Sequence, residues 1–325
     1  MESILSPSPH FHLVSLADGA YAAIATPGGA AVSNAGFVDL GEQTIIFDSF
    51  LTPRAAADLR VAAENFTHRT ISYVINSHWH NDHIRGNQVF PPDTEILSTR
   101  ITRGLIENKA FLEVQQDAEV APGRIREMDD LAAAEGDPDK KAELANLGGY
   151  YRTLAESTQR LKLRPPTWVF EGRLVFHGSK QTAELIEVGP AHCENDMLLH
   201  LPEAKSVFAS DLIFIESHPY LTEADPDNWL RALDLIERLA PETIVPGHGP
   251  LGRMEDLQRM RGYLMYLIEL AGRLVDRNDP VEAVYQQSIP PAYARWKLGQ
   301  FYHTNLLYLY NRCMQTLHHP ARRQG

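Results

Sequence analysis

The chain has 325 residues, 44% of them apolar, which is enough for one large or two ordinary cores and too apolar for a largely disordered state. Its 30 Lys and Arg against 42 Asp and Glu give a formal charge of -12, and no basic run stands out, so a large nucleic acid is excluded as the expected partner. The two cysteines, Cys193 and Cys313, are too few for a disulfide framework; no basic-then-apolar leader and no apolar run of about 18 residues occur, so the expectation is a cytoplasmic protein without a membrane segment.

Along residues 12–50, HLVSL, YAAIA, AAVSNAGFVDL and QTIIFD alternate with Gly, Asp and Asn turn signals and predict an antiparallel meander. TPRAAADLRVAAENF then reads as a helix with Thr52 as N-cap and Pro53 at its first position. ISYVIN is a short β-branched strand, and the histidine-rich stretch NSHWHNDHIRGN follows it directly. Polar helical text from about 100 to 165 predicts two or three inserted helices. RLVFHG, TAELIEV, DMLLHL, KSVFAS and TIVPG predict a second meander, with the capped amphipathic helix DPDNWLRALDLIERLAP before its last strand. Helices are expected again over about 254–317, the last one spanning RWKLGQFYHTNLLYLYNRCMQTL.

His78, His80, Asp82 and His83 crowd four potential ligands into six positions. His78 and His80 are two apart, so extended backbone turns both imidazoles to one side, where they can share a cation. Asp82 and His83 face differently and can serve a second. Zinc takes four donors, one of them water in a catalytic site, so further ligands are needed from elsewhere. Strand ends are where layered folds place ligands, and three more donors follow strands: His192 in GPAHCEND, Asp211 in FASDLIF and His248 in IVPGHGP.

Taken in order, HxHxDH, then His, Asp and His, the set resembles the metallo-beta-lactamase-fold hydrolase superfamily over roughly residues 12–250. That resemblance implies an α/β fold: a four-layer αββα sandwich of two mixed sheets with helices outside, here a single domain over 1–325 with the helical insertion and the C-terminal helices added. It also implies two Zn2+, with Fe or Mn as alternatives, the first held by His78, His80 and His192, the second by Asp82, His83 and His248, with Asp211 bridging. Aspartate at 211 is similar to the glyoxalase II-like and lactonase-like branches. Asp48, ending TIIFD, matches the family's first motif and is expected to accept hydrogen bonds from the ligand loop.

The implied reaction is hydrolysis by a metal-bridging hydroxide, oriented by Asp82, on a small carbonyl substrate such as a lactone, ester or thioester. β-Lactam or small phosphodiester hydrolysis and an iron-dependent oxidoreductase on the same fold are the alternatives. His218 and Tyr220, in the loop after Asp211, and Tyr302 and His303, in the last helix, are candidate substrate contacts. Gly247 and Gly249 flank His248 as turn-formers, and Cys193 is not expected to ligate. GGYY at 148–151 marks the insertion as an active-site wall or lid; a homodimer interface is the competing expectation.

Overall fold

A computed structural model describes residues 3–4 and 8–318. The first sheet carries β1 (Ser3–Ile4), β2 (Phe11–Ala17), β3 (Ala20–Ala25), β4 (Ala35–Asp39), β5 (Thr44–Phe47), β6 (Tyr73–Ile75), β7 (Glu95–Thr99) and β8 (Trp168–Phe170), in that order across the sheet. Pairing is antiparallel from β1 to β5, as the turn-punctuated text predicts. It is parallel from β5 to β8, where longer connections intervene. The first of those connections is α1 (Pro53–Thr67), whose N-cap Thr52 accepts from the amide of Ala55 at 3.3 Å.

The second sheet orders β9 (Arg173–His177), β10 (Thr182–Gly189), β11 (Asp196–Leu201), β12 (Ser206–Phe214) and β13 (Thr243–His248) in sequence. β9 to β12 form the expected meander, but β13 runs parallel to β12. The predicted helix between them, α6 (Pro226–Leu239), is the reason: a helical crossover returns the chain in the same direction.

Val38, Ile45, Phe47 and Ile75 of the first sheet meet Leu185, Met197, Leu199 and Phe208 of the second in one buried cluster, so the sheets pack face to face. On the outer face of the first sheet Phe37, Ile46 and Val74 pack on Ala55, Leu59 and Ala63 of α1. Outside the second lie α6, α7 (Met254–Asp276) and α8 (Phe301–His318). These four layers are the αββα arrangement predicted. The last helix starts at Phe301 and not at 295, because Leu298 adopts a left-handed backbone (φ 60°) that breaks helical continuity.

The insertion consists of α3 (Arg100–Leu105), a π turn at Ile106–Ala110, α4 (Phe111–Ala134) and α5 (Pro138–Thr158). Its inner side rests on the histidine loop: Trp79 and Ile84 are buried with Ile106, Ala110 and Cys193, and the fully buried Arg85 pairs with Asp117 of α4 and donates to Thr158 Oγ1 of α5 at 3.2 Å. Among the described residues no helix is long and apolar enough to cross a membrane.

Candidate metal centre

Every proposed ligand emerges at one end of the two sheets. His78 and His80 follow β6, and Asp82 and His83 lie in the short helix α2 (Asn81–Ile84). His192 follows β10 and His248 ends β13. Asp211 comes from within β12, where the pairing register shifts on both sides of Ser210 and Ser210 itself has φ 47°. Such a bulge re-aims the next side chain out of the strand's alternation, here toward the histidines. Asn34 fastens the end of β13 to the first sheet, donating from Nδ2 to the carbonyls of Pro246 and Gly249, both at 2.9 Å.

Two groups result: His78, His80, His192 and Asp211 in one, Asp82, His83 and His248 in the other, the candidate ligand atoms within each lying within 4.8 Å of one another. Asp211 faces both. Its Oδ2 is 3.3 Å from His192 Nε2 and 3.8 Å from His78 Nε2, and its Oδ1 is 3.1 Å from His83 Nε2 and 3.5 Å from His248 Nε2. Asp82 Oδ2 lies 3.3 Å from His248 Nε2. Donors about 2.0–2.1 Å from a tetrahedral ion stand about 3.4 Å apart, so these separations suit zinc-sized cations.

The hydrogen bonds behind the rings fix which nitrogen is free. Asp48 accepts from the amide and hydroxyl of Ser77 and from His83 Nδ1, each at 2.8 Å, and from Ser210 Oγ at 3.0 Å. His83 therefore carries its proton on Nδ1 and presents the Nε2 lone pair to the cluster. Because Ser77 Oγ gives its proton to Asp48, it accepts from His78 Nδ1 at 2.9 Å, and His78 also presents Nε2. On His80 the roles reverse: Nε2 donates to Glu223 at 3.3 Å and Nδ1 turns inward, 3.0 Å from His192 Nε2.

No partner at Nδ1 sets the tautomer of His192 among the described residues, so its Nε2 either donates to His80 Nδ1 or turns a lone pair to a cation between the two rings. Among the described residues His78 Nε2, His83 Nε2 and Asp211 Oδ1 are buried without a hydrogen-bond partner, a costly state that a cation would relieve. Burial depresses His78 well below the usual imidazole range and His192 to about 3, keeping both rings neutral and able to ligate. At His83 burial acts the same way but Asp211, Asp82 and Asp48 outweigh it, pushing the pKa well up. That ring sits in a field that demands a positive charge. The donor set and its orphaned atoms fit two divalent cations.

Gly247 is required by space. A Cβ there would fall 1.8 Å from Asp211 Oδ1, so the residue before His248 leaves room for the shared carboxylate, a stricter demand than turn-forming. Gly249 does serve the turn, with φ 100°. Cys193 stays out of the cluster, as expected: its buried thiol donates to the Asn195 carbonyl at 3.3 Å, and burial raises its pKa.

The four expected substrate contacts make their described contacts with residues other than those of the cluster. His218 is fully buried, its Nδ1 2.8 Å from the Tyr263 hydroxyl and its ring edge-on to Trp296. Tyr302 is fully buried too and donates to the Ser288 carbonyl at 3.1 Å; His303 Nε2 donates to the Gln287 carbonyl at 2.8 Å. Tyr220 is 36% exposed with its ring against Phe301. These groups tie the loop after β12 and the last helix into the C-terminal layer, because aromatic rings there find each other before they find the site. Sequence reasoning missed Glu223, Glu113, whose carboxylate accepts from Asn81 Nδ2, Lys109 and the serine pair behind Asp48. All except Ser77 and Ser210, which adjoin ligands, lie too far along the chain for any motif to flag.

A family model described as the metallo-beta-lactamase superfamily matches residues 28–248. The chain belongs to this superfamily. Over 282 residues, 82% of the chain, it is 22% identical to a linear primary-alkylsulfatase of Pseudomonas sp. (strain ATCC 19151), and it spans about half, 52%, of that relative's length. The stereoselective inverting sec-alkylsulfatase Pisa1 from Pseudomonas sp. superposes with a TM-score of 0.68 at 17% identity, covering 96% of this chain and 52% of that one. The DIM-1 metallo-beta-lactamase superposes at 0.56 with 14% identity over 80% of this chain and 99% of its own. At these identities the structural likeness speaks for the fold.

Proposed function

We propose that the chain is a metal-dependent hydrolase whose cluster holds two divalent cations, zinc by donor chemistry, and cleaves an ester-type bond in a small acyl substrate: a lactone, ester or thioester. The observation that carries this is Asp211, which turns one oxygen toward each histidine group. When bound, such a pair supplies Lewis acidity and lowers the pKa of water to about 7. The protein's own groups divide the remaining work. Asp82 is the cluster carboxylate most open to solvent, at 19% side-chain exposure against 5% for Asp211, which supports its carboxylate as the group that would take up the proton lost by attacking water. Tyr150 of α5 keeps its phenol proton, because burial raises its pKa and the Asp82 and Asp117 carboxylates raise it further. Its response to the Asp82 carboxylate supports an active-site wall on the insertion side.

A second reading is hydrolysis of an alkyl sulfate ester, supported by the two alkylsulfatase relatives and by the greater overlap with one of them. A panel of lactones, thioesters, β-lactams, small phosphodiesters and alkyl sulfates on zinc-loaded protein separates the readings. Preferred turnover of acyl substrates supports the first, turnover of alkyl sulfates alone replaces it with the second, and no hydrolysis together with oxygen uptake on iron-loaded protein would remove both.

A further inference from the structure

The π turn that opens the long insertion helix carries Lys109 onto the loop between the metal ligands. Lys109 Nζ pairs with Glu194, two residues past His192, and lies 3.5 Å from Glu223 Oε1 and 5.0 Å from the centre of the Trp79 ring. The other oxygen of Glu223 accepts from His80 Nε2 at 3.3 Å, and Trp79 Nε1 donates to Glu194 Oε2 at 3.1 Å. One ammonium group therefore joins both loops that deliver the first histidine group. π turns inside helices interrupt the regular ladder and recur at functional positions.

We infer that Lys109 is a positioning residue: through Glu223 it fixes the proton on His80 Nε2, so that Nδ1 is held toward His78 and His192, and it thereby couples the helical insertion to the first metal site alone. Partners behind a metal-ligating histidine set its tautomer and ring angle, and their loss weakens binding by about 10- to 100-fold. Without Lys109, Glu223 keeps, among the described residues, its link to His80 and is free to rotate toward solvent, since it is 27% exposed. The second group has its own support in Asp48 and receives nothing from this relay. The inference rests on the reading that His78, His80 and His192 share a cation.

Metal-depleted protein titrated with Co2+, followed by visible absorption and checked by circular dichroism, tests it for the wild type, Lys109→Met, Lys109→Arg, Glu223→Gln and the double variant. The expected result is one site weakened about tenfold or more in Lys109→Met, the other unchanged, largely restored in Lys109→Arg, and no further loss when Lys109→Met is added to Glu223→Gln. Unchanged affinity at both sites, an equal loss at both, or additive losses in the double variant would overturn the role of Lys109. A wild-type protein that takes up no cation would instead sink the metal reading beneath it.

Discussion

Oδ2 of Asp48 lies 2.8 Å from Nδ1 of His83, and Asp48 holds a left-handed backbone (φ 61°) to reach it. The same carboxylate takes both polar groups of Ser77, so one side chain orients the ligand loop on either side of the bend. Asparagine tolerates that backbone but places an amide N–H where three donors converge. Asp48→Asn should therefore weaken cation binding at the His83 site by about 10- to 100-fold and the first site less, since His78 feels the change only through Ser77, read by metal titration. Equal affinity at both sites in the variant would contradict the network.

Gly247→Ala should be far more damaging than its size suggests. The added methyl would overlap Asp211 Oδ1, and strain of that kind costs about 1–3 kcal/mol or displaces the carboxylate. Expected outcomes are a melting temperature lowered by several degrees and fewer than two cations per chain; a variant with wild-type stability and full metal content would show that Asp211 does not need this space.

Burial holds His218 at about 4, well below the unfolded value of about 6.5, with the Tyr293 backbone opposing only in part. The unfolded chain thus binds the extra proton first. Stability from this group is fully present above pH 6.5 and is lost as pH falls through the window from about 6.5 to about 4. Urea melts at pH 7 and pH 4.5 should show a smaller acid loss for His218→Phe than for the wild type; identical losses would mean the ring is not kept neutral.

Arg85 is fully buried and Asp117 is its carboxylate partner, so Asp117→Ala leaves a buried charge beneath the insertion. Removing one member of a buried pair is expensive, and the partial exposure of Asp117 sets the expectation at about 1–3 kcal/mol. Limited proteolysis should cut within residues 100–158 earlier than in the wild type while the sheets persist. Unchanged cleavage would show that the pair does not hold the insertion down.

The donor cluster was legible because its chemistry is local: four donors in six residues, and three more each just past or inside a strand readable from β-branched runs. The meanders were legible from alternation and turn residues for the same reason. What the text hid was whatever depends on a long-range meeting. β13 turned parallel because a helix intervened, Asp211 faces the histidines only because Ser210 adopts a positive φ, and Glu223 meets His80 across 143 positions. His218 and Tyr302 misled because nearness in sequence to a ligand or an aromatic stripe does not fix direction; burial among Tyr263 and Trp296 decided it.

The central claim is that Asp211 joins two cation sites. Metal analysis of zinc-loaded wild type and Asp211→Ala, alongside hydrolysis rates, tests it most directly. Two zinc ions per chain in the wild type, with one or fewer and a lost rate in the variant, is the predicted result. Two tightly held ions and full activity in Asp211→Ala, or no bound metal in the wild type, would contradict it.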